Sequence, residues 1–162
     1  MKLGEWLLTK HPEHVQQLSL LTMRLDQCKN AYSSVSETIE KLILQQQSSN
    51  EPPSKDIENI YGEITRIFQQ LMYLELKIHR VNDYIGIYGI ILAGLPKNDT
   101  WFIENHFDKK RPVAELINEP FPDGNIYSKS VVHNMKNRII DHVTELCDLM
   151  VFCPPDFRKD SS

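Results

Sequence analysis

Residues 57–92 read IENIYGEITRIFQQLMYLELKIHRVNDYIGIYGIIL, and this stretch decides the fold. Its apolar residues recur at alternating spacings of three and four, at Ile57, Ile60, Ile64, Ile67, Leu71, Leu74, Ile78, Val81, Ile85, Tyr88 and Leu92. A 3.5-residue repeat sustained over this length places all of these side chains on one stripe of a long helix. The stretch therefore predicts a coiled-coil-like helix with one apolar seam.

An earlier part of the chain has the same spacing. Its members are Leu18, Leu21, Leu25, Cys28, Tyr32, Val35, Ile39 and Leu42. Between the two series, residues 45–53 (QQQSSNEPP) are polar and contain adjacent prolines, and Ser54 is suited to an N-cap. The pattern predicts a long antiparallel helical hairpin over residues 12–95.

The second predicted helix extends beyond the first, so something other than the first helix has to cover residues 78–92. It also carries Tyr61 and Phe68 beside the seam, which widens the apolar face beyond what a helix pair needs. We therefore expect a homo-oligomer, a dimer or higher, with an interface at Tyr61, Ile64, Phe68 and Leu71. The alternative is that the two aromatic residues cover the N-terminal segment with Trp6, Leu7 and Leu8.

A second domain follows Leu95–Pro96, because proline disfavours helical geometry in the residue before it. Three short helical patterns are expected in residues 96–150, and residues 151–162 are a C-terminal tail. The first is capped by Asn98 or Asp99 and carries Trp101, Phe102, Ile103, His106 and Phe107. The second opens at Pro112 and carries Val113, Leu116 and Ile117. The third is capped by Ser128 and carries Val131, Val132, Met135, Ile139, Val143 and Leu146. The predicted fold class is all-α, a long helical hairpin followed by a small three-helix helix-turn-helix domain.

Composition restricts the function. The 162 residues carry a net charge of −4, which argues against a general polyanion binder but leaves room for a local basic face. No apolar run is long enough for a membrane span, so we expect a cytoplasmic protein without a membrane partner. Cys28, Cys147 and Cys153 form no Cys-x-x-Cys pair, and the histidines and glycines match no catalytic or phosphate-binding motif. We expect no enzyme activity, no metal and no cofactor.

The C-terminal region resembles a known kind of DNA-reading domain. Residues 95–107 (LPKNDTWFIENHF), 113–116 (VAEL) and 127–138 (YSKSVVHNMKNR) are similar to the promoter-reading C-terminal domain of bacterial sigma factors. The same domain behind a helical hairpin resembles the RinA and ArpU families of phage late-gene transcription activators, and this resemblance covers residues 14 to 146. It implies a phage or prophage activator whose partners are double-stranded DNA and host RNA polymerase.

The residues favour DNA contact on local grounds. Lys109, Lys110 and Arg111 form one basic run, and Lys136 and Arg138 lie in a stretch without acidic residues between Ser128 and Ile140. We expect these five side chains to contact phosphates. With the apolar side of the third helix in the core, its outer face carries Lys129, Ser130, His133, Asn134 and Asn137. The predicted DNA-binding residues are Lys109, Lys110, Arg111, Ser128, Lys129, Ser130, His133, Asn134, Lys136, Asn137 and Arg138.

Residues 118–125 (NEPFPDGN) depart from the family pattern. In the family a tight turn joins the two corresponding helices, whereas in this sequence these eight residues, with two prolines and an Asp-Gly turn signal, lie between them. This insertion is either a wing or part of a surface redirected to a protein. Three hypotheses follow: a sequence-specific transcriptional regulator, a coiled-coil protein-interaction module without DNA readout, and a packaging-associated protein of the small-terminase type.

Overall fold

The computed structural model describes residues 1–50 and 55–160, and within these residues it contains helices and no strand. In chain order the helices are α1 (Leu3–Gln47), α2 (Lys55–Ala93), α3 (Lys97–Ile103), α4 (Val113–Leu116), α5 (Lys129–Leu149) and α6 (Pro155–Asp160). A π-helical turn, Glu104–Asp108, continues α3. No helix in the described ranges is both long and apolar enough to cross a membrane. The all-α prediction is confirmed.

Two compact units divide the chain. One comprises Gln16–Asn82, and the other combines Met1–Val15 with Asp83–Ser162, of which the residues up to 160 are described. We call them the two-helix unit and the terminal unit. Both α1 and α2 run through both units, because each is one continuous helix.

In the two-helix unit, α1 and α2 pack together along the predicted seam. Leu21, Ile39, Ile67 and Val81 are buried, and every other seam position of this unit is half-buried. Across the seam, the Cys28 thiol donates to the carbonyl oxygen of Ile67 over 3.6 Å. The seam prediction is confirmed. The expected turn over residues 45–53 is described only as far as Asn50, after α1 ends at Gln47, and the expected Ser54 cap lies outside the described residues.

The terminal unit covers the end of α2. The N-terminal turns of α1 bring Trp6, Leu7 and Leu8 into its core, where Trp6 packs edge-on against Tyr84 with 5.7 Å between ring centroids. This helix begins at Leu3, earlier than the three-four pattern starts, and Pro12 lies inside it. The N-terminal segment therefore packs around Tyr84. Tyr61 and Phe68 of the two-helix unit remain half exposed.

The predicted C-terminal helices are present, with different starts. Pro96 occupies the N-cap of α3, so neither Asn98 nor Asp99 caps this helix. Pro112 lies at the N-cap of α4, one residue before the first-turn position, and α4 is a single turn. Ser128 holds the N-cap position of α5, although its side chain accepts no capping hydrogen bond.

Three contacts from distant parts of the chain complete this unit. The segment after α5 adds α6, and Phe157 packs against Trp6 with 6.0 Å between centroids. The Trp6 indole N–H donates to the Asp160 carboxylate over 2.8 Å. At the other end, the Gly4 amide donates to the Thr144 hydroxyl over 3.0 Å, which fixes the start of α1 against α5.

Candidate nucleic-acid interface

The core side of α5 determines which of its side chains face outward. Val132, Ile139, Val143 and Cys147 are almost fully buried, so the opposite side of the helix is exposed. Six of the predicted contact residues are exposed on this helix: Lys129, Ser130, His133, Asn134, Asn137 and Arg138. Ser128, at the N-cap, is also exposed, and its hydroxyl lies 3.1 Å from that of Ser130. We call the exposed side of residues 128–138 the outer face.

The charge of α5 changes along its length. The helix carries no acidic residue before Asp141, whereas Asp141, Glu145 and Asp148 follow in its second half. The Lys2 ammonium forms an ion pair with Asp141 and offsets the first of these charges. The outer face is therefore neutral to basic near the helix start, where a major groove is usually entered.

The basic run at residues 109–111 is only partly free to bind. Lys109 and Lys110 are exposed, and Lys110 adopts a positive φ of 55°. Arg111 instead donates to Glu119, to Glu115 over 3.3 Å and to the Asn105 side chain over 3.1 Å. The Glu119 hydrogen bond raises the pKa of Arg111, and the same bond lowers the pKa of Glu119. Contact between Arg111 and a phosphate would compete with these carboxylates.

Lys136 and Arg138 are also held by the protein. The Lys136 ammonium lies 5.9 Å from the Phe107 ring centroid, a cation–π arrangement. The Arg138 guanidinium lies 2.5 Å from a carboxylate oxygen of Asp99, which is a buried residue of α3. Of the five predicted phosphate contacts, Lys109 and Lys110 are thus the ones whose side chains make no hydrogen bond, ion pair or ring contact within residues 1–50 and 55–160.

The insertion at residues 118–125 is anchored on both sides. Phe121 is buried between Trp101 and Tyr127, with ring-centroid distances of 4.5 and 5.0 Å. Asp123 accepts hydrogen bonds from the Tyr127 hydroxyl, from the Asn125 amide and from Asn98, and these bonds lower its pKa to about 2. Gly124 has a φ of 84°, which favours glycine, as the Asp-Gly turn signal indicates. The anchored loop thus fixes the position of the N-terminal end of α5.

Two parts of this surface are missing from the sequence predictions. Val131 is exposed, whereas the third helical pattern includes it only as an apolar residue and not as part of the outer face. It lines a cleft of about 440 Å³ with Asn134, Tyr127, Met135 and Arg138. The sequence contains a signal for this exposure, because residue 131 does not belong to the three-four series 132, 135, 139 and 143 that forms the buried side of α5. The other part is Lys2, which lines a second cleft with His133 and Asn137, and no sequence pattern relates residues so far apart.

A partly buried polar cluster lies in the terminal unit. Asp108 accepts a hydrogen bond from the Tyr88 hydroxyl over 2.7 Å and lies 3.1 Å from His11, whose ring stacks on Tyr88. Burial, followed by the bond to Asp108, raises the pKa of Tyr88. His14 lies beside Trp6 and Tyr84, and burial lowers its pKa. No group of three potential metal ligands occurs among the residues that the structure describes.

Family models, curated proteins and solved structures give no match to this chain.

Proposed function

We propose that this protein is a sequence-specific DNA-binding transcriptional regulator. In this proposal α3, α4 and α5 act as a helix-turn-helix domain, and the two-helix unit is an antiparallel hairpin that forms the oligomer. The resemblance to the RinA and ArpU families makes a phage or prophage activator in the cytoplasm the specific form, with host RNA polymerase as its protein partner.

The outer face of α5 is the observation that carries this proposal. It exposes Lys129, Ser130, His133, Asn134 and Asn137 on a helix whose other side is buried. Asparagine pairs bidentately with adenine and lysine with guanine, so these side-chain types suit base-edge contacts in a major groove. Because α5 has no acidic residue before Asp141, its N-terminal end can approach phosphates. The dipole of α5 adds partial positive charge at the same end.

Lys109 and Lys110 supply the positioning contacts in this proposal. They are exposed and lie in the segment that leads into α4, the helix that packs against α5. Phosphate contacts fix the register of a protein on DNA without reading its sequence. Arg111 and Arg138 have a second role, because each also joins two elements of the terminal unit.

Salt-titrated binding to duplex DNA tests the proposal, with a site selected from a random duplex pool and a scrambled duplex as the reference. Asn134→Ala should cost about 1–3 kcal/mol on the selected site and little on the scrambled one. Lys109→Ala should weaken both equally and lower the salt slope by about one. The matched controls are Asn118→Ala and Lys159→Ala, exposed residues outside the proposed contact surface. Equal affinity for both duplexes, unchanged in Asn134→Ala, would refute sequence reading.

One observation favours a protein-interaction module without DNA readout. Two of the predicted phosphate contacts, Arg111 and Arg138, are already paired with carboxylates, and exposed Val131 lines an adjacent cleft with Met135. An apolar floor beside a charged rim is typical of a protein interface. Under this alternative no duplex binds with a salt-dependent affinity, and Val131→Asp abolishes binding of a purified protein partner such as RNA polymerase.

A further inference from the structure

A second apolar stripe runs along α2 outside the seam. Tyr61 and Phe68 are each 50% exposed, Met72 is 51% exposed and Leu76 67%. At 3.6 residues per turn these four residues lie on one side of the helix, roughly 100° from the seam, over about 22 Å of its length. We call them the α2 stripe. Clustered exposed apolar side chains of this kind often mark a protein–protein contact.

We infer that the α2 stripe binds the same stripe of a second copy of this chain, with the two α2 helices antiparallel and a two-fold axis near residues 68 and 69. The inference deepens the proposed regulator, since it names the oligomer contact on which that proposal relies. It also extends the predicted interface from Tyr61 and Phe68 to Met72 and Leu76, whereas Ile64 and Leu71 belong to the seam.

The stripe is self-complementary in this register. A two-fold axis at residues 68 and 69 places Tyr61 opposite Leu76 of the second copy and brings the two Phe68 rings together at the centre. Because the contact is isologous, the Tyr61–Leu76 pair occurs twice, and the Phe68 contact lies on the axis between its two copies. The exposed halves of these side chains are the area that pairing would bury, and Tyr61 and Phe68 contribute the aromatic part of it.

Charges select the antiparallel direction. Glu58 and Arg80 flank the stripe at its two ends on the same side, and neither has an ion pair or hydrogen bond within the described ranges 1–50 and 55–160. Antiparallel pairing brings Glu58 near Arg80 of the second copy at both ends. Parallel pairing in register would instead bring like charges together, which opposes association.

Other occupants fit this surface less well. Trp6, Leu7 and Leu8, the most apolar part of the N-terminal segment, are already buried in the terminal-unit core. A polyanion needs cations on the surface, whereas the α2 stripe is apolar and has the acidic residues Glu58 and Glu75 beside it. A second copy supplies both the apolar surface and the opposite charges.

Sedimentation equilibrium of the full chain without DNA measures the association. We expect a dimer for the natural chain, and Phe68→Asp should raise its dissociation constant at least about thirtyfold, as loss of a central aromatic anchor does. Leu20→Asp is the matched control, since Leu20 is 59% exposed on α1. Circular dichroism checks that each variant is folded. If Phe68→Asp does not fold, Leu76→Lys provides a second variant that should weaken the dimer.

A charge swap tests the direction. Glu58→Arg and Arg80→Glu should each weaken the dimer about fivefold, and the double variant should regain most of the natural affinity. A parallel dimer shows no such rescue, and this result would overturn the inference. So would a monomer at high micromolar concentration. A monomer that still reads its DNA site would leave the proposed function standing, whereas a dimer that binds no duplex would refute that function alone.

Discussion

Arg138 neutralises the buried carboxylate of Asp99 from the exposed side of α5. The Nη2 to Oδ1 distance is 2.5 Å, and the exposed fractions of the two side chains are 62% and 7%. Because Asp99 lies at the start of α3, the pair joins α3 to α5 beside the outer face. A residue expected from the sequence to contact phosphate therefore also stabilises the terminal unit.

The Arg138–Asp99 pair should contribute measurably to stability. Arg138→Ala leaves the buried carboxylate without its partner, and we expect a loss of about 1–3 kcal/mol in the free energy of unfolding. Urea denaturation of Arg138→Ala, Asp99→Asn and the double variant gives the coupling energy, which should be about 1 kcal/mol. Additive effects of the two substitutions would show that the pair contributes nothing.

Gly4 lies against the backbone of α5. A Cβ atom there would be 2.6 Å from the Thr144 amide nitrogen and 2.7 Å from the Ile140 carbonyl oxygen. Gly4→Ala should therefore lower the free energy of unfolding by about 1–3 kcal/mol, because neither backbone atom can move aside cheaply. Gly86→Ala is the control, since its Cβ would meet nothing within 4 Å and alanine favours a helix interior. The two variants should shift the melting temperature in opposite directions.

The seam of the two-helix unit should be sensitive at its buried positions. Ile67→Ala should lower the free energy of unfolding by about 2–4 kcal/mol, because Ile67 is 6% exposed. Leu44→Ala, at a position that is 65% exposed, should change it by less than about 0.5 kcal/mol. Equal effects in chemical denaturation would mean that the seam is not the core of this unit. Leu71→Asp, at a half-buried seam position, should also destabilise the packing of α1 against α2.

His14 should make the terminal unit less stable in acid. Its Nδ1 atom is buried without a hydrogen-bond partner in the described chain, and burial, followed by the charge of His11, lowers its pKa from 6.5. The unfolded chain then binds more protons as the pH falls through 6.5, so the free energy of unfolding decreases below that pH and is largest above it.

His14→Phe should raise stability at neutral pH, since it removes an unpaired buried polar atom, and it should reduce the loss between pH 7 and pH 5. Thermal denaturation at several pH values measures both effects. Part of the slope should remain, because burial also lowers the pKa of His106. His142→Phe, at an exposed histidine, is the control, and an equal change of slope in this variant would argue against His14 as the source.

Sequence periodicity by itself determined the two long helices and the seam between them, although not the start of α1 or the presence of α6. Spacings of three and four residues identify the buried stripe because side chains on one helix meet a partner helix only at that repeat. The same reasoning located the C-terminal helices and the outer face of α5, since Val132 and Ile139 mark its buried side. These are local properties, decided by residues within a few turns of one another.

Only the tertiary structure decided what covers the end of α2 and which basic residues remain available. Trp6 meets Tyr84, Gly4 meets Thr144, and Arg138 meets Asp99 across long stretches of chain, and no local repeat encodes such pairs. The phosphate-contact prediction treated lysine and arginine alike from their charge. Whether each charge is paired depends on which carboxylates the fold brings within hydrogen-bond distance, and packing between distant segments sets that distance.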